Sequence, residues 1–151
     1  MSHVACVELE VNDMEALEET CKELGWNLKR GQKTYKWFGR WVNDYSAGDA
    51  AYHHGIDPKD YGKCDHAISI PGINYEVGLV QKPTGKPGQY VVIFDFFDQA
   101  LKDALGGQGA PKLIQHYGVK KVTAECQKKG YKVTHTKTKT GDIQLVIAGK
   151  F

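Results

Sequence analysis

A chain of 151 residues with 41% apolar content and a formal net charge of +2 has the size and composition of one globular domain. No apolar run approaches the roughly 20 residues of a membrane span, and no basic start followed by an apolar core marks a secretion signal, so a cytoplasmic protein without a membrane partner is expected. Near-balanced charge makes no demand for a nucleic acid, and the four cysteines, Cys6, Cys21, Cys64 and Cys126, lack a close-spaced pair, which suits buried thiols in a reducing compartment.

Residues 4–11 begin as an apolar run and then alternate, with Val7, Leu9 and Val11 on one side and Glu8 and Glu10 on the other, the pattern of a half-buried strand. Asn12 with Glu15 has the spacing of a capping box, and Met14, Leu17, Cys21 and Leu24 recur at helical spacing up to Gly25, which suits a left-handed helix stop. Residues 26–30 and 34–42 are expected to pair as a hairpin about Gly31 and Gln32. Residues 43–63 are polar and punctuated by glycine and proline, and are expected to be a long surface loop.

Three strands are then expected at 67–70, 75–81 and 90–96, the last almost wholly apolar and therefore central in its sheet, covered on both faces. Residues 97–105 predict a short helical turn, followed by a flexible joint at Gly106, Gly107 and Gly109. Pro111 opens a longer helix that carries Ile114, Tyr117, Val122 and Cys126 inward and stops at Gly130, and residues 131–138 and 143–148 close the chain as a hairpin.

Cys126, Gly130, Tyr131 and Val133 echo Cys21, Gly25, Trp26 and Leu28 at one constant offset. The chain thus reads as one α+β domain, a mainly antiparallel sheet with two principal helices on one face. The echo points to an internal duplication of strand-helix-strand-strand units at 4–42 and 90–148, with a loop at 43–63 and an inserted hairpin at 67–81 between them.

Several short phrases, in order, resemble one family: the opening Met1, Ser2 and His3; Leu24 and Gly25; the run from Asp65 through His66 to Ile70; Tyr75, Glu76, Val77 and Gly78; Gln115, His116 and Tyr117; and the close from Gly130 and Tyr131 to Gly141 and Val146. The chain resembles the hypothetical chloroplast reading frame thirty-five family, also known as domain of unknown function twelve fifty-seven, over most of its length but not over much of 43–62. The resemblance implies a plastid, bacterial or phage protein of the cytoplasm or plastid stroma, brings no catalytic residues with it, and implies an AAA-type ATPase as a protein partner.

Three sets of residues could carry function. Tyr35, Trp37, Trp41, Tyr75 and Tyr90 are expected to line a small-ligand or peptide site on the sheet face away from the helices, with Phe96 as a further wall, although each is equally at home in a core. Lys33, Lys36 and Arg40 interleave with aromatics and, with Lys132, Lys137 and Lys139 on the final hairpin, offer cations for phosphate and rings for base stacking, the chemistry of a single-stranded nucleic-acid binder. His53, His54, Cys64 and His66 supply imidazole and thiol ligands of the kind zinc takes, without the usual pair-plus-pair spacing.

Cys64, Asp65 and His66 are sequence neighbours, a poor basis for a nucleophile with its base, and none of the common hydrolase, zinc-protease, dinucleotide or phosphate-loop motifs occurs. His3 and His116 are weighed as a further site pair against ordinary hydrogen-bonded histidines. The expected function is a small binding or adaptor module for a protein partner or small ligand, with no resident cofactor. A nucleic-acid-binding accessory protein and a metal-dependent enzyme are the alternatives.

Overall fold

The computed structural model describes residues 4–37, 54–56, 60–83, 85–137 and 143–150, with side chains throughout except at 135–137 and 148–150. The chain runs β1 (Val4–Glu10), α1 (Met14–Leu24), β2 (Asn27–Arg30), β3 (His66–Ser69), β4 (Val77–Gln81), β5 (Gln89–Asp95), α2 (Gln99–Leu105), α3 (Pro111–Lys128), β6 (Tyr131–Lys137) and β7 (Ile143–Lys150). Five strands form one antiparallel sheet in the order β1-β5-β4-β3-β2, while β6 and β7 form a two-stranded sheet of their own. The fold is α+β, as composition and periodicity indicate.

Local chemistry sets the element ends. The helix cap falls one residue later than the Asn12 box predicts: the Asp13 carboxylate accepts from the Ala16 N–H at 3.1 Å. At the other end Gly25 adopts φ +78°, and the Trp26 N–H reaches the Cys21 carbonyl at 2.7 Å, the bond pattern of a left-handed glycine stop. Asp98 caps α2 through Ala100 N–H, and Pro111 opens α3 where a missing N–H costs nothing.

The expected hairpin of 26–30 with 34–42 is not what β2 makes. Its partner is β3, with Leu28 opposite Ile68, and Thr34 forms only an isolated bridge to Lys63; residues 38–42 lie outside the described residues. The reason is visible at Glu76, which is 4% exposed. One of its carboxylate oxygens accepts from the Lys36 N–H at 3.0 Å and from Gln32 Nε2 at 3.2 Å, and the other pairs with Lys29 Nζ at 3.1 Å. With the Glu76 N–H donating to the Lys36 carbonyl at 2.8 Å, this buried carboxylate draws the chain out of the sheet after β2 and lays it over one face.

The sheet therefore has two covered faces. On one, Leu9 of β1, Ile68 of β3, Leu79 of β4 and Val92 and Phe94 of β5 pack against Leu17 and Cys21 of α1, Leu101 and Leu105 of α2, and Leu113 and Tyr117 of α3. On the other, Val4, Ala67, Val91 and Ile93 meet Tyr35, Ile56, Tyr61 and Cys64 from the chain between β2 and β3. β5 lies between β1 and β4 with Val91 to Phe94 buried on both sides, as its unbroken apolar run requires.

Candidate interaction surface

The expected aromatic site is divided between the two cores. Tyr35 is 4% exposed and packs against Gly78, where an added Cβ would meet its ring at 2.5 Å. Half-buried Trp37 packs on the same side, edge-on to Tyr61 with ring centres 5.8 Å apart. Tyr75 and Tyr90 belong to the helix side, so these four rings do not share one pocket; Trp41 lies outside the described residues. Phe96, half-buried, also packs toward the helices, beneath the Lys102 ammonium at 5.8 Å.

Of the residues considered for metal, His53 lies outside the described residues, as does His3. His54 Nδ1 is 3.1 Å from Glu8, whose carboxylate also bonds Lys82; the Lys82 bond, helped by His54, holds Glu8 below its ordinary carboxylate range. Cys64 faces the loop-side core and donates its thiol to the Gln32 carbonyl at 3.2 Å, and burial, with the Asp65 and Glu76 charges, pushes it up to about 12. His66 points elsewhere: its Nδ1 accepts from the Gly31 N–H at 2.9 Å and its Nε2 lies 3.4 Å from Tyr90 Oη. Burial, together with Arg30 and Lys33, lowers the His66 pKa. Among the described residues no three His, Cys, Asp or Glu side chains are gathered as a metal would need. His116 Nδ1 lies 2.8 Å from the Lys112 carbonyl, one turn back on α3.

A groove of about 460 Å³ opens beside the loop-side core, between Ile56, Asp60, Lys63, Cys64, Val80 and Pro83. Its polar lining is already engaged within the chain: Lys63 pairs with Asp60 at 3.3 Å, Asp65 accepts from the Gln81 N–H at 2.7 Å, and Cys64 bonds Gln32. A smaller hollow of about 260 Å³ holds Glu8, Glu10, Lys82 and Tyr90. Neither offers the converging free polar groups that orient a small molecule.

Among the described residues, the C-terminal unit leaves the most large apolar surface uncovered. The first half of α3 is anchored by buried Leu113 and Tyr117, and an ion pair between Lys120 and Glu23 ties it to α1. Beyond Tyr117 no residue of α3 is buried, nor is any residue of β6 or β7 whose side chain is described. Four large apolar side chains stand exposed among the described residues, and three of them, Val122 at 38%, Val146 at 50% and Ile147 at 49%, fall on α3 and β7. An isolated two-stranded hairpin on one helix face buries little, and these three side chains leave apolar surface there open to a partner.

Charge is segregated in the same way. Nine of the twenty lysines and arginines lie in 111–151 against two of the eighteen acids, Glu125 and Asp142, so this unit is strongly positive and the preceding 110 residues are net negative. Lys33 and Lys36, considered for nucleic acid, are exposed but sit on the chain that covers the opposite sheet face; Arg40 and Lys139 lie outside the described residues, and Lys137 is placed only by its strand position opposite Ile143. Overall near-neutrality hides this division, and a separate tally of charge for each predicted element would have revealed it from the sequence. Among the described residues no helix is long and apolar enough to cross a membrane.

Comparison of the chain with protein-family models, with curated proteins and with solved structures returns no match.

Proposed function

We propose that this protein is a small binding module that engages a protein partner through α3 and the β6–β7 hairpin. The observation that carries the reading is that three of the four exposed large apolar side chains among the described residues, Val122, Val146 and Ile147, fall on α3 and β7 beyond the last buried residue, Tyr117. The chain's net positive charge lies wholly there, so an acidic partner surface is the complementary one. The AAA-type ATPase that the family resemblance implies is a partner to assay directly.

The test is affinity capture with the tagged wild-type chain and with a Val146→Lys, Ile147→Lys double variant. A protein retained at stoichiometric level by the wild type and lost by the variant is expected, with the variant's thermal unfolding unchanged because both positions are half exposed. Capture indifferent to these two positions would refute the assignment of the surface.

The lysine-rich character of the unit also favours a second reading, a nucleic-acid-binding accessory protein. Fluorescence titration with oligothymidylate at low salt decides it: association that falls steeply as salt rises supports this reading, and absence of binding where electrostatic attraction is strongest removes it.

A further inference from the structure

The two outer edges of the β6–β7 ribbon are unlike. β6 carries Lys132 and Lys137, charges that discourage a further strand from pairing with an edge. β7 is uncharged and without proline from Ile143 to Gly149, and its register against β6 is regular from Ile143 to Ala148; the irregularity lies at its far end, where Gly149 is the extra residue before Lys150. Among the described residues only β6 pairs with it.

Val146 and Ile147 are neighbours on β7 and so point to opposite faces of the ribbon, yet each is about half exposed. A partner laid on either face would cover one of them. A strand added alongside β7 would cover both through cross-strand contacts, while its backbone would pair with the open N–H and C=O groups of the edge.

Lysines mark the ends of the ladder. Lys150 stands opposite Tyr131, with Lys132 opposite Ala148 at the same end, and Lys137 stands opposite Ile143 at the other. A strand added beside β7 runs about 4.8 Å from β7 and about 10 Å from β6, within roughly one Debye length of all three lysine positions, so acidic ends suit it, whereas a second copy's β7 would bring like charges together.

Resting on the protein-binding reading above, we infer that β7 accepts an extended segment of its partner as a third antiparallel strand, and that this segment is apolar at its centre and acidic at both ends. Two synthetic nonapeptides serve as probes, Glu-Glu-Val-Thr-Val-Thr-Val-Glu-Glu and its analogue with lysine in place of every glutamate. Each is titrated at millimolar concentration into the isotope-labelled full chain and followed by proton–nitrogen NMR and amide exchange.

The acidic peptide is expected to shift the amides of β7 and slow their exchange, to bind about tenfold more tightly than the lysine peptide, and to weaken with added salt. Shifts confined to the groove at Ile56 and Pro83, equal binding of both peptides, or no binding of either would overturn the inference. So would stronger perturbation of β7 by oligothymidylate, or protection of β7 by self-association of the protein alone. Its failure is separable from failure of the broader reading: a partner lost on the Val146→Lys, Ile147→Lys change, but leaving the β7 amides unprotected in its complex, refutes strand addition alone.

Discussion

Gly78 illustrates how one side chain's absence places another. Its missing Cβ leaves room for the Tyr35 ring, and a methyl group there would lie 2.5 and 2.8 Å from two ring carbons and 3.0 Å from Ile93 Cγ2. Gly78→Ala is therefore expected to destabilise the fold by about 1–3 kcal/mol, measured by denaturant unfolding, with part of the loss recovered when Tyr35→Leu is added. His66 makes a second residue-scale prediction. Its pKa is lowered by burial, so below about 6.5 the unfolded chain binds a proton that the folded chain resists, and stability drains away as pH falls through that region. Unfolding measured from neutral to mildly acidic pH should show this loss, and His66→Gln should flatten it.

At the scale of elements, the helix ends follow local chemistry and the strand partners do not. The single side-chain cap of α1 is the Asp13 carboxylate on Ala16 N–H, so Asp13→Ala should cost about 1 kcal/mol in unfolding free energy, while Asn12→Ala, which removes no cap, should cost less. Periodicity marks residues near 26–30, 67–70, 75–81 and 90–96 as strands, and all four appear with ends displaced by one or two residues. What periodicity does not contain is that β2 lies beside β3 across a long stretch of chain, an arrangement held by Glu76 from a segment some 40 residues away. A lone glutamate before an apolar strand gives no sign in the sequence that it will be buried with three hydrogen-bond partners.

At the scale of the molecule, burial is uneven. β3, β4 and β5 lie within a sheet covered on both faces, whereas β6 and β7 pack on a helix with no fully buried residue after Tyr117. Opening free energy follows buried apolar contact, so the amides of β6 and β7 should exchange at least about tenfold faster than those of β4 and β5. Hydrogen exchange read by mass spectrometry on peptides from the two regions checks this; equal protection would show that the C-terminal unit is held as firmly as the main sheet. Among the described residues, exposed large apolar side chains and net positive charge coincide on this C-terminal unit.

The sequence by itself determined the fold class, the helix stop at Gly25, the doubly covered β5 and the final hairpin, because each depends on local periodicity, on a residue able to take positive φ, or on an unbroken apolar run. It also held the charge division between the first 110 residues and the rest, legible once charges are summed along the chain. Tertiary structure alone decided that Tyr35 and Trp37 cover a second core, that Cys64 and His66 part company two residues from each other, and that β6 and β7 stand apart from the main sheet. Those outcomes turn on contacts between distant segments, and an aromatic or a histidine has the same local pattern whether it faces a ligand or a neighbouring strand.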